Sequence, residues 1–418
     1  MTTSSRPVLR RRHAAVLGAL ALGLAACGSD TDTTDDAAAA EAEPVEVDHA
    51  EPRLVVAYDD HVEVFDAESI ESLGSFATDS AVYVQTAADG RHVFTLAHQD
   101  EKIGLLDSGT WTEAHGDHGH SFTLEPSETA LDLDGLSYHA VSDDERSVIW
   151  FDDLGAFGVL EHDELEGGTI EPQIIEPGLT TEGEPHHGVA VPTADGGFLA
   201  TVSVEGEATG VAVLDAAGEE VTRFETCPGL HGETHVGETG YAFGCGTGVL
   251  VVDGGQARSI ASPVEGAGTG TLASDHDSAV VAGTLSAEDR PELGTQLALY
   301  DTAAGTSTAV ELGAAYSNVV VSEGRAIVIG TDGALRVVDL ASGAVATVPA
   351  IVEWEKTDDW QEPRPYLAVS GDTVWISDPH AGAIHTLDLA TSALESVEVD
   401  GAPGRLVVVN AGRTGHSH

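Results

Sequence analysis

Ala81-Val82-Tyr83-Val84, a turn at Ala88-Asp89-Gly90, then His92-Val93-Phe94-Thr95-Leu96 and Lys102-Ile103-Gly104-Leu105-Leu106-Asp107 form the stretch that decides the fold. Short apolar runs separated by Gly and Asp turns are too brief for helices and read as strands. The same cycle, closing near an aspartate, returns at Val211-Ala212-Val213-Leu214-Asp215, Leu297-Ala298-Leu299-Tyr300-Asp301, Leu335-Arg336-Val337-Val338-Asp339 and Ile384-His385-Thr386-Leu387-Asp388. No segment holds a long 3.6-residue period, so few helices are expected. A self-similar four-strand unit repeated along a chain is the mark of an all-β protein, a β-propeller.

Working outward, first strands are expected near Ala81, His139, Gly188, His231, Gly270, Asn318 and Tyr366. At the amino end, Leu54-Val55-Val56-Ala57-Tyr58 and His61-Val62-Glu63-Val64-Phe65-Asp66 lack a first strand, and the terminal run Gly404-Arg405-Leu406-Val407-Val408-Val409 lacks partners. Joining the two closes the ring and removes the open edges. Eight blades result, or seven if two irregular units merge.

Composition sets limits on partners. Acidic residues outnumber basic ones 71 to 17, a formal charge of −54. Such a surface repels phosphate backbones and anionic membranes, which argues against nucleic-acid binding. The 48 glycines suit many turns, and a 42% apolar fraction can fill a large core.

Arg6 and Arg10-Arg11-Arg12 precede a short apolar run, Ala14 to Ala26, which ends in Leu24-Ala25-Ala26-Cys27-Gly28. Basic head, apolar middle and small residues before a cysteine resemble a bacterial lipoprotein signal over residues 1–27, with Cys27 taking the lipid. The mature protein is then exported and held at the outer face of the cell membrane by its lipid anchor only. Residues 28–50 are acidic and poor in large apolar side chains, so a disordered tether is expected. A single propeller domain follows over 51–410, and 411–418 reads as a flexible tail carrying His416 and His418.

Three stretches share one local pattern: Leu136-Ser137-Tyr138-His139-Ala140-Val141, Glu184-Pro185-His186-His187-Gly188-Val189-Ala190-Val191-Pro192 and Cys227-Pro228-Gly229-Leu230-His231-Gly232-Glu233. Each places histidine at the head of a strand-like run, about 45 residues from the next. At equivalent places in successive units, His139, His187 and His231 can converge, and converging neutral imidazoles make a metal site with zinc the leading candidate. Neighbouring residues of a strand point to opposite faces, so His186 is a reserve to His187. Read singly, each histidine could equally be satisfied by a backbone carbonyl near a turn.

Glu113-Ala114-His115-Gly116-Asp117-His118-Gly119-His120 places His115, His118, His120 and Asp117 in what reads as a polar loop between the second and third units. Such a stretch cannot build a core but can bind metal, more weakly than a preset ring because ordering it costs entropy. With Cys27 assigned to lipid, Cys227 and Cys245 remain as an even pair in an exported protein, which favours a disulfide across one hairpin.

Four segments together resemble the periplasmic zinc metallochaperones of the AztD family. They are His186-His187-Gly188-Val189-Ala190-Val191-Pro192, Cys227-Pro228-Gly229-Leu230-His231-Gly232-Glu233, Phe243-Gly244-Cys245-Gly246-Thr247-Gly248-Val249-Leu250-Val251 and Glu362-Pro363-Arg364-Pro365-Tyr366-Leu367-Ala368-Val369. The His-Gly-Asp-His-Gly-His segment matches in character. The resemblance implies a zinc-binding propeller, expected to be a monomer and not an enzyme, which passes zinc to the solute-binding protein of a zinc ABC importer. The segment around His139 departs most from the family pattern, as does the lipoprotein signal. Propellers also carry metal-dependent hydrolases such as lactonases, and three histidines with an open position would serve them too. Glu184 and Glu233 lie nearby in sequence, but nothing local marks either as a general base. A binding or adhesion propeller without metal is the third reading.

Overall fold

The computed structural model describes residues 43–418 apart from 116–117, 166–169, 177–184, 238, 276–277, 358–361, 412–415 and 418, and without the side chains at 132, 416 and 417. The signal-like segment with Cys27, most of the acidic tether, Asp117, Glu184, His418 and the His416 side chain lie outside the described residues.

Among the described residues, eight antiparallel sheets follow one another along the chain, seven of four strands and the sixth of five, with a smaller three-stranded sheet beside them. The second combines Tyr83–Thr86, His92–Ala97, Lys102–Asp107 and Ser127–Asp134; the third, Ala140–Ser142, Arg146–Phe151, Ala156–Glu161 and Gln173–Ile175. The fourth and fifth begin at Ala190–Pro192 and Glu233–Val236, and the sixth to eighth at Gly268–Ser274, Tyr316–Ser322 and Tyr366–Ser370. These starts fall within three residues of the expected ones. The first sheet is discontinuous in sequence. Leu406–Val409 pairs with Arg53–Ala57, Leu406 opposite Val56 and Val409 opposite Arg53, and His61–Asp66 and Ser72–Ala77 complete it. The chain is therefore a β-propeller closed by its C-terminal strand. Helix is confined, among the described residues, to short 3-10 turns such as His162–Glu164 and Pro291–Thr295.

The core clusters lie between successive sheets, because an antiparallel sheet offers one face to each neighbour. One cluster holds Leu54, Phe65, Trp375, Ile384, Leu406 and Val408 and so cements the first sheet to the last. Across the same junction the Trp375 indole N–H donates to the Ala67 carbonyl at 2.8 Å. The recurring aspartates turn the chain toward the outer strand. Asp66, Asp301, Asp339 and Asp388 each accept the backbone N–H three residues on, at 2.6–2.8 Å, which is the short-range competition with ladder bonding that makes Asp a turn residue.

Three expectations need correction. The histidine-rich stretch is no mobile loop between units. Thr110–His115 and His118–Thr123 form a β-hairpin inserted before the last strand of the second sheet, with His115 opposite His118. Its base is anchored where Arg91 lies 3.9 Å over the Trp111 ring and Asn410 bonds both Thr110 and Thr112. Second, the acidic tether ends in order rather than at residue 50, since Val45–Val47 pairs with His118–Thr123. Third, the tail returns to the sheet. His416 and Ser417 pair through their backbone with Ser274 and Ala273, where a free end was expected.

Candidate metal centre

Backbone contacts at or beside each histidine fix the three strand heads. The His139 carbonyl accepts the Trp150 N–H at 3.1 Å, and Ala140–Ser142 begins immediately after it. The His186 carbonyl accepts the Trp150 indole N–H at 3.2 Å. Next to it, Gly188 lies so close to Trp150 and Thr201 that an added Cβ would stand 3.0 Å from each. The His231 N–H donates to the Gly244 carbonyl at 3.0 Å. A side chain at Gly244 would meet the carbonyls of His231, Thr269 and Gly270 at 2.5 Å, so only glycine lets these three backbones approach. The histidines thus stand one to three residues ahead of the first strands, not on them.

The Cys227–Cys245 disulfide, with Cα atoms 4.9 Å apart, clasps the same hairpin. Cys227 and Cys245 are both buried, and the Gly246 N–H donates to the Pro228 carbonyl at 2.7 Å beside the bridge. The approach to His231 is thereby held at both ends.

These contacts bring His139, His187 and His231 together. The ring of His187 has its centroid 5.2 Å from that of His139 and 5.7 Å from that of His231. Two imidazoles bound through nitrogen to one tetrahedral zinc have centroids about 5 Å apart, from Zn–N bonds of 2.0–2.1 Å. The spacing fits the ion. Among the described residues, however, no three His, Cys, Asp or Glu side chains are already turned to hold one. Two carboxylates stand behind the rings. Asp152 bonds His187 Nδ1 at 2.7 Å, and Glu233 lies 3.4 Å from His139 Nδ1. A carboxylate on one ring nitrogen orients the imidazole and leaves the other nitrogen for metal.

Burial is uneven across the cluster. His139 is 9% exposed and Glu233 fully buried, whereas His187 and His231 are open to solvent on one side. Burial alone would lower the His139 pKa, but the nearby charge of Glu233, with Asp152 behind, raises it above the ordinary histidine value. His231 moves the other way, lowered by desolvation and then by the neighbouring charges of His139 and His187. His186 is separate. Its ring is 5% exposed, packs edge-on to Trp150 at 5.3 Å, and neither ring nitrogen has a hydrogen-bond partner among the described residues. Burial lowers its pKa. It is an enclosed imidazole beside the cluster.

The hairpin histidines form a second group. Ring centroids are 5.2 Å apart for His118 and His120, 5.3 Å for His115 and His120, and 6.3 Å for His115 and His118. Alternation explains it, since His118 and His120 share one face of a strand and His115 faces His118 across the turn. His120 Nδ1 meets Glu46 at 2.6 Å, from the strand that ends the tether.

Two residues of the site escaped sequence reading. Asp152 carries no local sign of its role, being 35 positions from His187. Glu233 sits in a motif that was noticed, but only burial against His139 reveals its use. Tyr138 belongs to the wall as well, its ring 5.5 Å from that of His187.

Comparison with known proteins agrees with the fold. The chain is homologous to the zinc chaperone AztD of Citrobacter koseri, with 26% identity over 388 residues and 88% of each protein covered. The crystal structure of Citrobacter koseri AztD matches with a TM-score of 0.77 at 24% identity, over 86% of this chain and 98% of that one. The dihydro-heme d1 dehydrogenase NirN shares the fold at a TM-score of 0.60 and 13% identity, over 87% of this chain and 75% of its own. No protein-family model matches the chain. A scaffold common to a chaperone and a dehydrogenase does not by itself define an activity.

Proposed function

We propose that the chain is an exported zinc chaperone that binds zinc at His139, His187 and His231 and delivers it to the solute-binding protein of a zinc ABC importer. The observation that carries this reading is the meeting of three imidazoles at zinc-compatible spacing, two of them backed by carboxylates. Homology to a zinc chaperone supports it.

In this reading zinc is cargo. Asp152 and Glu233 hold two rings by Nδ1 and offset the charge of the arriving dication, while low proton affinity keeps His231 available as a neutral donor. Capture requires rings to turn, not strands to move. A water or an acidic side chain completes the fourth position, and His186 stands in reserve. The hairpin trio, His115, His118 and His120, together with Asp117 of the same stretch, handles exchange with the partner. Cys27 tethers the mature chain to the membrane as a monomer.

The test is a transfer assay. Zinc-loaded protein is mixed with an apo zinc-importer solute-binding protein under chelator competition. Movement of one zinc equivalent faster than spontaneous release is the expected result. Transfer no faster than release would remove the delivery role, and a protein purified without chelator that holds no zinc would remove the binding role.

A further inference from the structure

Between the last sheet and the first two lies a cavity of about 340 Å3, walled by Tyr58, Ser80, Tyr83, His98, Tyr366 and Arg405. It is distinct from the histidine cluster, because the Tyr138 ring stands between, 5.2 Å from His98 and 5.5 Å from His187. In a chain with 17 basic residues against 71 acidic ones, both Arg364 and Arg405 line this one space. The Arg405 guanidinium is sandwiched, 3.9 Å from the Tyr83 ring centroid and 4.6 Å from that of Tyr366. No carboxylate pairs with it among the described residues. Rings on both faces leave a guanidinium only its N–H edge to offer, which suits a planar, bidentate acceptor.

A second observation points the same way. Tyr58 is 5% exposed, yet its hydroxyl has no hydrogen-bond partner among the described residues, and neither does the buried hydroxyl of Ser80. Such buried donors are costly to leave unmet, and both line the cavity. Two hydroxyl donors and an unpaired guanidinium edge ask for an anionic acceptor. Asp59 and Glu362 also line the space and disfavour a multiply charged anion such as phosphate.

We propose that this cavity binds a small organic monocarboxylate, its carboxylate on the Arg405 edge and within reach of the Tyr58 and Ser80 hydroxyls. A simple carboxylic acid and an amino acid share that group, the latter placing its ammonium toward Asp59 or Glu362.

The experiment titrates chelator-treated full mature chain with butyrate, L-valine and inorganic phosphate by calorimetry. Saturable one-to-one binding of butyrate or valine is expected, and the tighter of the two identifies the class. Arg405→Lys should weaken it about tenfold and Tyr58→Phe about threefold, with zinc stoichiometry unchanged as a check of the fold. Tyr58→Phe decides the matter should the Arg405 variant fail to fold. No saturable binding of either carboxylate at millimolar concentration, preference for phosphate, or affinity indifferent to these substitutions would overturn the proposal.

Discussion

His139, His187 and His231 meet at ring separations of 5.2 and 5.7 Å, while His115, His118 and His120 meet at 5.2 to 6.3 Å. Spacing hardly distinguishes the two groups. Their surroundings do. The first has Glu233 fully buried and Asp152 8% exposed behind its rings, and its histidines lead into three separate sheets. In the second, the carboxylate that meets His120, Glu46, has a side chain 60% exposed, and all its histidines ride on one hairpin. An enclosed carboxylate keeps nearly its full electrostatic effect, whereas water screens an exposed one. The contrast therefore assigns retention of zinc to the first group and rapid exchange to the second, on the reading proposed above.

The sharpest break of that contrast is ligand removal. His187→Ala or His231→Ala should weaken the tight zinc equivalent by several kcal/mol, roughly a thousandfold or more in affinity. The triple change of His115, His118 and His120 to Ala should leave tight binding nearly intact and slow transfer. Competition titration with a chromophoric chelator and stopped-flow transfer measure both. Tight binding lost in the hairpin variant and kept in the other two would invert the assignment.

Next in size is the disulfide. Its 18-residue separation implies about 3 kcal/mol from loop closure in the chain-entropy model. Replacing Cys227 and Cys245 by Ser should lower unfolding free energy by about that amount and weaken the His231 group, with hairpin exchange unaffected. Denaturant titration and zinc competition on the same sample report the two effects.

Carboxylate neutralisation is smaller. Glu233→Gln or Asp152→Asn should each cost about 10- to 100-fold in zinc affinity, as loss of an orienting partner does, while Glu46→Gln should change tight binding little. Equal effects at all three positions would erase the difference in surroundings drawn here.

The smallest effect is that of pH. His139 holds its proton more firmly than an ordinary histidine, so zinc affinity should fall as pH drops, starting above the usual value of about 6.5. Without zinc the sign reverses. The raised pKa contributes stability that is fully present below about 6.5 and lost as pH rises through the folded value. Melting curves of the zinc-free and zinc-loaded forms against pH should therefore diverge on the alkaline side. Parallel curves would show that His139 and Glu233 are not coupled to the metal.

The sequence by itself determined the repeating unit, the starts of the sheets and the closing strand, because each follows from local alternation and turn chemistry. An apolar run such as Val55 to Ala57 must find a partner, and Leu406 to Val409 was the run left over. It also determined which histidines could meet, since equivalent places in successive units neighbour one another. The tertiary structure alone decided that Asp152 reaches His187, that Glu233 is buried against His139, and that His186 turns instead onto Trp150. It decided as well that the histidine-rich stretch is an ordered hairpin, its partner strand Val45–Val47 drawn from the acidic segment expected to be a disordered tether. The physical reason is the same in each case. Alternation and turns act over a few residues, whereas a carboxylate's choice of histidine depends on burial and distance between segments remote in the chain.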